Sequence, residues 1–95
     1  MAHPELTIVL SYDISRPGTR RRVARRLEEQ LCRVQLSVFE GRLKAFAANR
    51  LFEEVEALID PGDSLRMYVL SATGLEKSRQ SGGAPLPEKE TFWLL

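Results

Sequence analysis

A chain of 95 residues, 43% hydrophobic and 28% charged, has room for one globular domain, and its composition excludes a disordered or fibrous chain. The formal net charge is +1, so bulk charge does not point to nucleic acid, and any such signal must lie in how the charges are placed. The single cysteine, Cys32, excludes an intrachain disulfide; no basic leader and no membrane-spanning run is visible, so a cytoplasmic protein is expected, with no membrane partner.

The first strand is expected over Leu6 to Tyr12, "LTIVLSY", an apolar β-branched run that stops at Asp13. "DISRPGT" follows, with Pro17-Gly18 as a turn and Thr19 as the N-cap of a helix over about Arg20 to Leu31. Val23, Leu27 and Leu31 recur every fourth residue on the apolar face of that helix. The next strand spans about Arg33 to Glu40. Alternation puts Val34, Leu36 and Val38 on a core face and Arg33, Gln35, Ser37 and Phe39 on the other. Glu40-Gly41 reads as a tight turn into a short strand around Arg42 to Lys44. A second helix is expected from Ala45 to Ile59, with Ala48, Leu51, Phe52, Val55, Leu58 and Ile59 as its apolar stripe, stopped by "DPGDS". "LRMYVLS", Leu65 to Ser71, is the next strand. Gly74 to Lys89 reads as a polar loop, and "TFWLL" as a short final strand.

The order βαββαβ with an added terminal strand is α+β. It suits an antiparallel sheet with two helices packed on one face, the ferredoxin-like arrangement. Residues 1–73 are expected to form that domain, and 74–95 a loop and strand that pack on a partner subunit. A monomer of this size buries only about 60–65% of its unfolded surface, so pairing of two copies would help it.

Charge is segregated along the chain. Seven of the 14 basic residues, all arginines, lie from Arg16 to Arg33, accompanied by two acids, Glu28 and Glu29. Leu51 to Asp63 holds five acids and no base. Arginine outnumbers lysine eleven to three, and its planar fork suits phosphate oxygens. Arg16, Arg20, Arg21, Arg22, Arg25 and Arg26 therefore read as a phosphate-tracking surface, weighed against a solvated helix face on which Glu28 and Glu29 balance Arg25. Asp13, at a strand end, offers a carboxylate for Mg²⁺, and two copies across a two-fold axis would offer two; its other reading is a turn cap or a partner for Arg20. Phe39 and Tyr12 are candidates for stacking on a base or for the core. Cys32 and His3 are given no role. No P-loop, GxGxxG, zinc ligand set or Ser/His/Asp arrangement is visible.

"IVLSYDIS", "RRRVARRLEE", "RVQLSVFEGRL" and "DSLRMYVL", in this order from Thr7 to Ser71, closely resemble the CRISPR-associated protein 2 family. The resemblance implies a ferredoxin-like homodimer. It would work beside CRISPR-associated protein 1, the integrase that inserts foreign DNA fragments into a CRISPR array during spacer acquisition. It also implies a possible metal-dependent endonuclease, of the endoribonuclease type, acting on single-stranded RNA or double-stranded DNA with Mg²⁺ or Mn²⁺. By the same resemblance Asp13 is the metal-binding and catalytic carboxylate, with Tyr12 beside it. Arg20, Arg22, Arg33 and Phe39 match the family's functional arginines and aromatic. The alternative is a non-catalytic dimer that bridges integrase subunits and grips a DNA duplex through its arginine helix. The segment "EEQLCRV" lacks the glycine that many relatives carry before the motif strand.

Overall fold

A computed structural model of the chain describes residues 4–87. Its elements are strand β1 (Glu5–Asp13), helix α1 (Pro17–Glu28), strands β2 (Cys32–Gln35) and β3 (Val38–Lys44), helix α2 (Ala45–Glu56), strand β4 (Ser64–Leu70) and a short helix α3 (Ala72–Lys77). The four strands form one sheet in the order β2-β3-β1-β4, with every neighbouring pair antiparallel. This is the ferredoxin-like α+β arrangement expected from the element order.

The central strand β1 sets the layers. Ile8 and Leu10 are fully buried and Tyr12 nearly so; alternation places all three on one face. In register, Gly41 and Phe39 of β3 lie beside Ile8 and Leu10, Leu43 lies beside Leu6, and Val69, Met67 and Leu65 of β4 lie beside Ile8, Leu10 and Tyr12. Val23, Ala24 and Leu27 of α1 and Ala48, Leu51 and Val55 of α2 close over that face and complete one core. The helices thus bury the apolar stripes read from the sequence. The opposite face carries Val9, Ser11 and Asp13 of β1, Val38 and Glu40 of β3, and Arg66 and Tyr68 of β4.

The motif segment departs from its expected form. The chain reverses at Leu36-Ser37, between β2 and β3, rather than at Glu40-Gly41. Alternation therefore does not run from Val34 through Val38. Val34 and Val38 are only half-buried, and Leu36 is 83% exposed at the turn. Phe39 faces Leu10 in register and is fully buried. This corrects its expected outward position: a ring in the core beneath two helices has no face to offer a base. Gly41 is a mid-strand residue opposite Ile8. A Cβ there would come within 2.8 Å of Leu31 Cδ2, so the glycine marks the close approach of the segment after α1, and a larger residue would have to displace the Leu31 side chain.

Helix α1 begins earlier than expected. Arg16 is its N-cap and Pro17 its first helical residue, where a missing N–H costs nothing. Thr19, expected as the cap, is inside the helix and buried. Part of the expected polar loop is helical: Ser71 caps α3, its Oγ accepting the Gly74 N–H at 3.0 Å. The expected strand "TFWLL", with Phe92 and Trp93, lies outside the described residues, as does His3. Among the described residues no helix is long and apolar enough to cross a membrane.

Candidate functional site

Where β1 ends, three pieces of chain meet. One is the Asp13 end of β1, the second is one side of α1 from Pro17 to Glu28, and the third is the Leu36-Ser37 turn. Between them opens a cleft of about 710 Å³. Tyr12, Asp13, Arg20, Arg21, Arg25 and Arg33 line it, and so does Glu28. Six of the ten candidate site residues are thereby brought to one place. Arg16, Arg22, Arg26 and Phe39 are not among its lining residues.

Asp13 owes its exposure to the pleat. It follows the buried Tyr12, so its side chain leaves the helix-covered face, and it pairs in register with Ser64. The suggested Arg20–Asp13 pair is not formed. Arg20 Nη1 instead donates to the backbone carbonyls of Ile14 and Ser15, both at 2.9 Å. Arg20 therefore pins the loop that follows Asp13 to α1.

Tyr12 and Arg33 converge on one carbonyl. Tyr12 Oη donates to Leu36 O at 3.2 Å, and Arg33 Nε and Nη2 donate to the same oxygen at 3.0 and 2.7 Å. The Tyr12 N–H also donates to Ser37 O at 3.2 Å. The Arg33 guanidinium lies 5.5 Å from the centroid of the Phe39 ring, and that ring stacks on Tyr12 at 6.1 Å. One hub of three side chains thus closes the turn beside Asp13. It explains a reversal that has neither glycine nor asparagine to drive it.

The arginines of α1 divide into two groups. Arg26 reaches across to α2, with Nη2 2.6 Å and Nε 2.7 Å from Glu54 Oε2, and it also meets Glu29 at 3.1 Å. Arg16 Nε lies 3.5 Å from Asp60 Oδ2, a loose ion pair on an exposed side chain. Arg21, Arg22 and Arg25 are exposed and form no ion pair or hydrogen bond with another described residue. Of these three, Arg21 and Arg25 line the cleft. Arg26, by contrast, ties the helices together.

The donor set bears on a divalent cation. Among the described residues no three His, Cys, Asp or Glu side chains gather as a metal site. One chain offers the cleft a single strand-end carboxylate, Asp13, with Glu28 on the opposite wall. Mg²⁺ keeps several waters and accepts one or two carboxylates, so one chain fits as half of a site. Leu36, Ser37 and Glu28 are cleft residues that reading the sequence missed. Glu28 was taken only as a charge partner on the helix, and the turn was placed four residues too late.

The model of a family described as CRISPR associated protein Cas2 matches residues 6–78. A "CRISPR-associated endoribonuclease Cas2 1" from Chloroflexus aurantiacus is 39% identical over 82 residues, which covers 84% of this chain and 88% of that protein. Among solved structures, a hypothetical protein TT1823 from Thermus thermophilus superposes with a TM-score of 0.74 at 34% identity, covering 88% of this chain and 99% of that one. The Cas2-like chain of a "Partial Cas6-RT-Cas1--Cas2 complex" superposes with a TM-score of 0.68 at 25% identity, covering 79% of this chain and 89% of its own.

Proposed function

The chain belongs to the CRISPR associated protein Cas2 family, and from that premise we propose that it acts in CRISPR spacer acquisition as a homodimer with endoribonuclease activity centred on Asp13. The observation that carries this reading is the cleft lined by Asp13 at the end of β1 and by Arg21 and Arg25 of α1, neither of which pairs with another described residue. The curated relative's name supports the endoribonuclease class, and the likeness to a chain solved in a complex with Cas1 supports a Cas1-type integrase as partner. Cytoplasmic DNA and RNA would be its targets.

In this reading the two free arginines hold successive phosphates of an unpaired strand, each as a forked donor. Arg20 contributes indirectly, by fixing the Ile14-Ser15 carbonyls. Tyr12 and Arg33 contribute by fixing the Leu36-Ser37 wall, so that the strand enters a preformed channel. The Asp13 carboxylates of two subunits would hold Mg²⁺ or Mn²⁺. Such an ion, when bound, supplies Lewis-acid charge for phosphodiester hydrolysis. Residues 74–95 would complete the dimer by packing on the partner subunit.

A second reading is supported by the exposed Arg21, Arg22 and Arg25 of α1, beside a cleft in which the described residues gather no three metal-ligating side chains. Here the dimer bridges integrase subunits and grips duplex DNA without cutting it. One assay separates the two. Labelled single-stranded RNA and duplex DNA are incubated with wild type and Asp13→Ala, in Mg²⁺ and in EDTA, using fractions of one sizing column. The first reading predicts cleavage that co-elutes with the dimer and disappears in both the variant and EDTA. Equal cleavage by Asp13→Ala contradicts it and leaves the bridge.

A further inference from the structure

We propose that Asp63 is a positioning residue for the Asp13 site, acting through the backbone of the loop that follows Asp13. The inference rests on the reading of Asp13 as the catalytic carboxylate. Asp63 sits in the "DPGDS" turn before β4, which the sequence presents only as a helix stop. Both of its carboxylate oxygens are used. Oδ2 accepts the Asp60 N–H at 2.9 Å, while the Asp63 N–H donates to Asp60 O at 3.0 Å, and these bonds close the turn. Oδ1 accepts the Ser15 N–H at 3.1 Å, a bond between residues 48 apart in sequence.

That second bond crosses between two strand ends. Asp13 pairs in register with Ser64, so the residue just before β4 reaches the loop just after β1. From the other side Arg20 holds the Ile14 and Ser15 carbonyls. Ile14 between them is 3% exposed and packs in the core. The two residues after Asp13 are thus held by a cation on α1, a carboxylate before β4 and the core beneath. Only the carboxylate takes the loop's N–H.

Two other roles fit the geometry poorly. Asp63 is not a lining residue of the cleft, so it does not meet a strand bound there. Its oxygens already accept backbone N–H groups, so a direct ligand role requires giving those bonds up. Without the carboxylate, the Ser15 N–H loses its acceptor and the Asp13 end of β1 gains freedom relative to α1. Arg21 and Arg25 stay where they are, since α1 does not depend on this bond. Substrate binding should therefore survive while turnover falls.

The test compares wild type, Asp63→Ala, Asp63→Asn, Asp13→Ala and the Asp13→Ala/Asp63→Ala double variant as full-length chains. It follows single-stranded RNA cleavage in Mg²⁺ and amide hydrogen exchange at Ser15 by NMR. Asp63→Ala is expected to lower kcat by about tenfold or more with KM within about twofold, the pattern of a misplaced reacting group. Its Ser15 amide exchanges about tenfold faster or more. Asp63→Asn keeps one oxygen acceptor, and its rate is expected to follow whatever Ser15 protection it retains. The double variant, which has no cleavage left to lose, is read by exchange: its Ser15 amide is expected to exchange as fast as in Asp63→Ala while the amide of the buried Leu10 stays protected, whereas a general loss of structure would expose both.

If Asp13→Ala abolishes cleavage and Asp63→Ala cleaves at the wild-type rate, the proposal is overturned while the nuclease reading stands. If wild type does not cleave, or Asp13→Ala cleaves equally, the nuclease reading fails. Ser15 exchange then decides the frame, and unchanged protection in Asp63→Ala overturns it. Should Asp63→Ala fail to fold, Asp63→Asn decides: a rate that falls with Ser15 protection intact overturns the proposal.

Discussion

Arg33 shows how much one side chain can be asked to do. Its guanidinium makes two bonds to Leu36 O and lies over the Phe39 ring, so it holds the turn that forms one wall of the cleft. A lysine keeps the charge but loses the fork. Arg33→Lys and Arg33→Ala are therefore both expected to lower stability, by about 1–2 kcal/mol in urea unfolding. Arg21→Ala, which breaks no ion pair or hydrogen bond with another described residue, should stay within about 0.5 kcal/mol of wild type. Phe39→Ala empties a fully buried site and should cost about 3–5 kcal/mol. A loss of activity in that variant would report on folding. The aromatic of the motif was legible as an aromatic, but its face was not. Face depends on where the turn falls, and that is set by Arg33 and Tyr12 reaching Leu36 O rather than by a turn-forming dipeptide. Asp63 was illegible for a related reason: its partner, Ser15, lies 48 residues away.

At the scale of elements, periodicity carried most of the fold. The apolar run of β1 and the inner residues of the α1 and α2 stripes were read correctly because burial alone dictates them. Both helices end three residues early, at Glu28 and Glu56, so Leu31, Leu58 and Ile59 pack from the segments that follow. Punctuation misled in two places. Pro17-Gly18 opens α1 instead of preceding it, since proline suits a first helical position. Gly41 reads as a turn but marks the approach of Leu31 to the sheet. Gly41→Ala is accordingly expected to destabilise the chain by about 1–3 kcal/mol through overpacking, seen as a lower urea midpoint with an unchanged slope. Helix α3 escaped notice because Gly74 and its polar neighbours look like loop, although Ser71 was present as a cap. Between helices, the Arg26 link to Glu54 is partly exposed. Arg26→Ala should therefore cost only about 0.5–1 kcal/mol, and less at high salt.

The whole molecule has two unlike faces. One side of the sheet is closed by helices. The other bears Val9, Val38 and a half-exposed Tyr68 among polar residues, with Asp13 at one end. A dimer built on that open face would bring two Asp13 carboxylates toward each other while leaving both α1 helices outward. The net charge of +1 concealed the functional asymmetry, because five acids around α2 offset the arginines of α1. Only position along the chain revealed it, and only the ion pairs separated the paired arginines from those without a partner among the described residues.

The most direct test of that division is the salt dependence of single-stranded RNA binding by wild type, Arg21→Ala/Arg25→Ala and Arg26→Ala. Each phosphate contact on a single strand contributes about 0.7 to the slope of log K against log salt. The double variant is predicted to lose about 1.4 of that slope, with thermal stability retained. Arg26→Ala is predicted to keep the full slope while melting lower. An Arg26→Ala protein that binds with a slope as shallow as that of the double variant would contradict the assignment of the cleft arginines to substrate and of Arg26 to the fold.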